Sequence, residues 1–447
     1  MAKQSGVGPF VYSDDGRKII GVVNPDGTTS LFSKTVGNKA QVSRYRQMNF
    51  ISSQQRRVNE TASSPSGLGA ANTWIRLMSV PKSFSAVRIG IQSMDTVTAQ
   101  AGVKCAIAAT DSVNLAGQTF GNFVPIRQGV RDDAQWKPVQ LAGITAFTWP
   151  ATPLDGPTTW LDWTPCSSVP RFDVPGGYPL LIVAFEFPIT AVANSGYQVN
   201  NLTYNPQVEA QIPGVIERSW ANVGTFVTTP AGLPSSTGPS GLGLGFIVEF
   251  RHSEDCTTLF AFGDSVINAY GIGGDFGRVG WVNKACLSIG VNCVNRGTSG
   301  YTAIQYKNQF NNLVTTTFKP STILWQVHTV NSSNPPTRAS IDEAKGIAAD
   351  VMNTCNNLGI DLILVASFPG STTAISAPNQ AFVNELFAFC DNMAKVQGVY
   401  HLDVRQLHLT PGQWDPNYSQ GDGLHQNIAG EDVVLAPALK TLLNQII

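Results

Sequence analysis

The spacing of apolar residues changes character along the chain. Between Asn72 and His252, Val87, Ile89 and Ile91 alternate with Arg88, Gly90 and Gln92, and Val103, Cys105 and Ile107 alternate with their neighbours. A period of two puts one face of a strand on a core. The run Leu180–Phe187 (LLIVAFEF) is apolar almost throughout and predicts a strand covered on one or both faces. Turn clusters such as Pro175-Gly176-Gly177 separate these runs, and no long helical period intervenes. A β-sandwich or jelly roll follows. The segment Thr228–Gly245 reads as a long loop and Phe246–Phe250 as the last strand of this domain.

Upstream, Asp15-Gly16 and Asp26-Gly27 flank the β-rich run Ile19–Val23, the pattern of short hairpins. Residues 43–69 are polar, then rich in Ser and Gly, and read as a connector. The expectation is a small β-hairpin module with its linker over 1–70 and an all-β domain over 71–252.

After His252 the runs Leu259–Phe262, Val291–Asn295, Thr322–Val327, Leu362–Ala366 and Val399–Val404 alternate with helical patterns. Ile341, Ala344, Ile347, Ala348, Val351 and Cys355 fall on one helical face, with Ser340 and Glu343 at capping-box spacing. Phe382, Leu386, Phe389, Met393 and Val396 form a second such face. Strands alternating with helices predict an α/β domain over 253–447, built on a five-stranded parallel sheet wrapped on both faces. Ligands of such sheets bind beyond the carboxyl ends of the strands.

Composition narrows the partners. The chain of 447 residues is 43% hydrophobic and only 13% charged, with a net charge of −1. Neither nucleic acid nor an anionic membrane is therefore the expected partner. The seven cysteines are scattered without a CxxC pair, which predicts buried thiols in a reducing compartment. The opening MAKQSGVGPF has no apolar core and no apolar run reaches membrane-spanning length. The expectation is a soluble protein made in the cytoplasm without a signal peptide. Trp160 and Trp163 are candidates either for the sandwich core or for a sugar-stacking platform.

Candidate chemistry lies at the strand ends. The first α/β strand stops at Gly263-Asp264-Ser265, which is either a plain turn or a serine nucleophile at a sheet edge. A serine needs a base, and the base an orienting carboxylate. Among five histidines, His425 follows Asp422 by three residues in DGLHQNIAG, beyond the fifth strand. The second strand is followed by NRGTSGYTA, whose glycines allow a backbone N–H to approach a ligand, and the third by QVHTVNSSN, which offers an amide donor.

These four blocks, in this order, resemble the SGNH (GDSL) hydrolase superfamily over roughly residues 257–447. The resemblance implies a flavodoxin-like fold, Ser265 as nucleophile, His425 and Asp422 as its base and orienting acid, and an oxyanion hole of the Ser265 and Gly300 N–H groups with Asn331. Alignment on SGYT favours Gly300 over Gly297. The third block departs from the family's Gly-x-Asn-Asp, reading Thr329-Val-Asn-Ser332; Asn334 is a fallback donor, and His328 a substrate contact or a plain strand-end residue. Asp275-Phe-Gly277 lacks every companion of a kinase signature, the glycines after Ser265 miss dinucleotide-loop spacing, and no GxSxG elbow occurs. No metal spacing and no cofactor motif is present.

The function implied is a serine esterase. The attached β modules point to O-acetyl groups on a polysaccharide, with a diffuse resemblance to phage tail or tailspike deacetylases, and so to virion assembly or a homo-oligomer. The alternatives are a non-catalytic glycan-binding virion-type protein, or a lipase or thioesterase of the same superfamily.

Overall fold

The computed structural model describes residues 72–91, 99–112, 133–150, 158–187, 246–252, 256–269, 280–315 and 319–447, with residue 227 and short strand segments elsewhere. Phe10–Tyr12, Ile19–Val23 and Thr29–Leu31 pair antiparallel in a three-stranded sheet, while both Asp-Gly turns assigned between them lie outside the described residues.

Two antiparallel sheets form the sandwich. One runs Lys137–Val139, Gln100–Thr110, Leu180–Phe187, Asn72–Ser79, Glu217–Val223, and the other Thr159–Trp160, Phe84–Ile91, Phe246–His252, Met48–Ser52. Val87, Ile89, Ile91, Val103, Cys105, Ile107, Val183 and Phe185 fill the space between them, so the period-two positions meet as the alternation requires. Leu180–Phe187 is buried at every position, its second face lying in a smaller cluster with Ile75, Leu77 and Ala108.

Two segments differ from the sequence reading. Met48–Ser52, inside the stretch read as a connector, pairs with Phe246–His252. Leu242–Leu244, inside the stretch read as a loop, pairs with Val199–Asn201. Trp149 is a core side chain, but Trp160 and Trp163 are half-buried: the Arg88 guanidinium lies 4.5 Å and 5.1 Å from their ring centres, and Arg251 4.4 Å from Trp163. Their aromatic faces are engaged by cations, and Trp160 also packs against the core of the α/β domain.

The α/β domain contains β1 (Thr258–Phe262), α1 (Trp281–Leu287), β2 (Asn292–Asn295), α2 (Ala303–Leu313), β3 (Thr322–His328), α3 (Arg338–Leu358), β4 (Asp361–Ser367), α4 (Ala377–Met393), β5 (Val399–His401) and α5 (Ala436–Ile446). All sheet pairings are parallel, in the order β2-β1-β3-β4-β5. This is the flavodoxin-like order, expected when every crossover is right-handed and helices cover both faces. Helix α1 packs on α5, and α3 packs between α2 and α4. β1, β2 and β3 are buried at every residue, the polar Asn292, Asn295, Gln326 and His328 included. Strand β5 ends at His401, earlier than the apolar run suggests, and a short 3-10 turn follows at Arg405–Leu407.

The order reverses at β1: the chain leaves it for β2 on one side and later returns to β3 on the other. The crevice at that switch point is where such sheets bind ligands. Ser265 opens from it.

The sandwich joins this domain directly. Met48–Ser52 lies beside β2, His252 Nε2 stands 3.1 Å from Asn292 Nδ2, and the Tyr178 hydroxyl donates to the Leu287 carbonyl at 2.7 Å. Ile247 is part of the α/β core. All seven cysteines are free, and six are buried. Among the described residues no helix is long and apolar enough to cross a membrane.

The α3 cap is not the one expected. Thr337 is the N-cap: its hydroxyl accepts the Ser340 N–H at 3.2 Å, and the Ser340 hydroxyl accepts the Thr337 N–H at 3.0 Å. Thr337→Ala should therefore lower the stability of the α/β domain by about 1 kcal/mol. Glu343→Ala should leave it unchanged, the two being compared by urea unfolding.

Candidate active site

After β1 the chain tightens into a turn from Asp264 to Ala269, closed by the Asn268 N–H on the Asp264 carbonyl at 3.1 Å. The Val266 carbonyl accepts the indole N–H of Trp281 at 2.9 Å and the Gln426 amide at 3.2 Å. Gln426 follows His425, so this contact ties the two ends of the site together across 160 residues. Its amide also donates to the buried Glu431 carboxylate at 2.9 Å.

Ser265, His425 and Asp422 stand in one hydrogen-bonded line. Ser265 Oγ is 2.9 Å from His425 Nε2, and His425 Nδ1 is 2.6 Å from Asp422 Oδ2. The other carboxylate oxygen of Asp422 accepts the N–H groups of Leu424 and His425 at 2.8 Å and 2.9 Å. Burial pushes the Asp422 carboxyl up, but the hydrogen bonds from the imidazole and the two amides outweigh it and hold the group below its ordinary value. An ionised Asp422 fixes the proton on Nδ1 and turns the Nε2 lone pair toward the serine hydroxyl. Trp414, fully buried, steadies this loop by donating its indole N–H to the Gly423 carbonyl at 3.2 Å.

The loop after β2 passes against the back of the Ser265 turn. A Cβ at Gly297 would stand 2.5 Å from the Asn268 nitrogen and 2.8 Å from the Ile267 carbonyl carbon, so only glycine fits there. The Gly297 N–H is already used, donating to Asn295 Oδ1 at 2.9 Å. Gly300 is exposed in the left-handed region at φ +80°, where glycine is unstrained. Among the described residues, neither its N–H nor that of Ser265 has a protein acceptor.

At the end of β3, exposed Asn331 donates its side-chain amide to the Tyr301 carbonyl at 3.1 Å, next to Gly300, leaving the second amide proton to donate elsewhere. Asn334 is turned instead to the loop after β4, donating to the Gly370 carbonyl at 2.7 Å. His328 is buried, with Nε2 3.4 Å from the Ser340 hydroxyl, and burial lowers its pKa to about 4. It is a neutral imidazole facing the start of α3.

Several residues with structural parts in the site were not singled out from sequence. Asp264 is buried: Oδ1 accepts the Val266 N–H at 2.8 Å, while Oδ2 accepts the Gln326 amide at 2.9 Å and the Thr329 hydroxyl at 2.5 Å. Burial raises its pKa, and those hydrogen bonds, with the proximity of His425, pull it partly back. Gln326 also accepts the Asp264 N–H at 3.0 Å. A polar residue inside the otherwise apolar run of β3 was the available signal. Among the described residues no cluster of His, Cys, Asp or Glu is arranged to hold a metal ion.

The C-terminal part is thus a doubly wound α/β domain with a serine–histidine–aspartate line at its switch point. Solved structures similar to part of this chain include a GDSL-like lipase from Bacteroides thetaiotaomicron, with TM-score 0.35, 19% identity, 43% of this chain and 89% of that one covered. An acetylxylan esterase from Geobacillus stearothermophilus is similar at TM-score 0.33 and 19% identity, with 42% and 94% covered. No family profile and no curated protein matches the sequence.

Gly297→Ala should force the Ser265 turn away from the β2 loop, at about 1–3 kcal/mol of stability. Thermal unfolding of the variant should show that loss, and a variant as stable as the parent would mean the turn is not packed as described.

Proposed function

We propose that the protein is a serine ester hydrolase whose substrates are O-acetyl groups on a polysaccharide. One observation carries the catalytic reading: the continuous Ser265–His425–Asp422 line with contacts of 2.9 Å and 2.6 Å. A glycan-binding surface alone has no need of a hydroxyl aligned on an oriented imidazole. The polysaccharide reading is an analogy: an all-β module beside a hydrolase suits the holding of a polymer near the site.

In this mechanism Ser265 Oγ attacks the acyl carbonyl carbon while His425 Nε2 takes its proton. The oxyanion accepts hydrogen bonds from the N–H groups of Ser265 and Gly300 and from the Asn331 amide. Collapse breaks the ester bond, and His425 returns the proton to the departing sugar oxygen. Water, deprotonated by His425, then attacks the acyl-enzyme and releases acetate with Ser265 restored. Ionised Asp422 stabilises the imidazolium formed in each half.

Acetate release from p-nitrophenyl acetate and from an O-acetylated glycan tests the reading. Ser265→Ala should lower turnover by about 10⁴–10⁶-fold with an unchanged unfolding profile. Parent-like turnover in that variant would reassign the nucleophile, and release from the small ester but no glycan would remove the polysaccharide substrate.

Asn331→Ala should lower kcat by about 10²–10³-fold with little change in KM, because the charge it stabilises appears only in the transition state. Asn334→Ala and His328→Ala should fall far less, and a larger loss at either would move the donor role there.

A further inference from the structure

The third block carries a side chain, Thr329, where the resembled family has a glycine. Thr329 is 0% exposed. Its hydroxyl donates to Asp264 Oδ2 at 2.5 Å and accepts the backbone N–H of Asn331 at 3.2 Å. A hydroxyl has one proton to give, and the carboxylate takes it, so a lone pair is left for the Asn331 N–H. The direction of the chain is fixed: Asn331 N–H to Thr329 Oγ1, Thr329 O–H to Asp264.

Each end of this relay sits beside a reacting element. Asp264 precedes Ser265, and its other oxygen holds the Val266 N–H at 2.8 Å. Asn331 reaches on to the Tyr301 carbonyl at 3.1 Å, next to Gly300. One hydroxyl therefore closes a circuit through the three loops that carry the nucleophile and both other oxyanion donors. The Gln326 amide already gives Asp264 Oδ2 a second partner at 2.9 Å, so satisfying the carboxylate is not the hydroxyl's sole use.

We infer that Thr329 is a positioning residue, whose hydroxyl sets the Asn331 amide at the right distance from Ser265 to complete the oxyanion site. The inference rests on the esterase reading. It assigns to Thr329 an effect on kcat through Asn331, where a purely structural role would change stability alone.

The test compares p-nitrophenyl acetate kinetics of the parent with Ser265→Ala, Thr329→Val, Thr329→Ala, Thr329→Ser, Asn331→Ala and the Thr329→Val/Asn331→Ala double variant, with thermal unfolding of each. Displacing a catalytic group by a fraction of an ångström to an ångström costs up to about 10²-fold. Thr329→Val should therefore lose about 10–100-fold in kcat with KM nearly constant. Thr329→Ser keeps the hydroxyl and should stay within about threefold of the parent. In the Asn331→Ala background the valine substitution should add no more than about twofold, the usual margin of an independent measurement. Thr329→Ala, a second variant without the hydroxyl, should follow the valine result. The inference is overturned by parent-like kcat in either hydroxyl-free variant, by serine falling as far as valine, or by losses that multiply in the double variant. An inactive parent, or an active Ser265→Ala, would instead bring down the esterase reading itself, and the inference with it.

Discussion

The Asp264 carboxylate is the constraint around which the site is arranged. A carboxylate taken out of water is costly unless its lone pairs are filled. Here they are filled by the Val266 N–H, the Gln326 amide and the Thr329 hydroxyl. These donors belong to the Ser265 turn and to the end of β3, so satisfying one buried group fixes both segments relative to each other. Burial still holds the Asp264 pKa above its ordinary value despite those contacts. The apolar sheet below supplies the rigidity: β1 and β3 are buried throughout, and their carboxyl ends cannot drift.

The remaining ties complete the frame. Gln426 grips the Val266 carbonyl, Trp414 grips the Gly423 carbonyl, and Gly297 lets the β2 loop touch the turn without an intervening side chain. The serine–histidine distance is thereby fixed by backbone contacts on both partners. On the far side of β2 the sandwich is attached through His252, whose Nδ1 donates to the Ser83 carbonyl at 2.8 Å while Nε2 accepts from Asn292. The β modules are thus joined to the strand whose loop carries Gly300.

Much of this was legible in sequence, and the reasons are physical. Strands buried on both faces are largely apolar, so most of the α/β strands announced themselves, as did the period-two strands of the sandwich. Candidate residues after the first, second, third and fifth strands could be named because a parallel sheet collects those ends on one edge. Met48–Ser52 was hidden because five strand residues sit within polar, Ser-rich surroundings that read as a connector. Thr337 was missed as a cap because its partner three residues on is Ser340, not the glutamate or glutamine that marks a capping box. Asp264 reads as a turn-former; its partners Gln326 and Thr329 lie 62 and 65 residues away, and no local pattern can reveal contacts at that range.

The proposed chemistry depends on Ser265 being a nucleophile made reactive by the line to His425 and Asp422. Peptide mass spectrometry after treatment with a serine-directed phosphonate tests it most directly, since the reagent bonds only to a hydroxyl activated in place. One adduct per chain is expected, on Ser265, and it should be lost when the protein is unfolded before treatment. An adduct on another residue, or none on the folded protein, would contradict it.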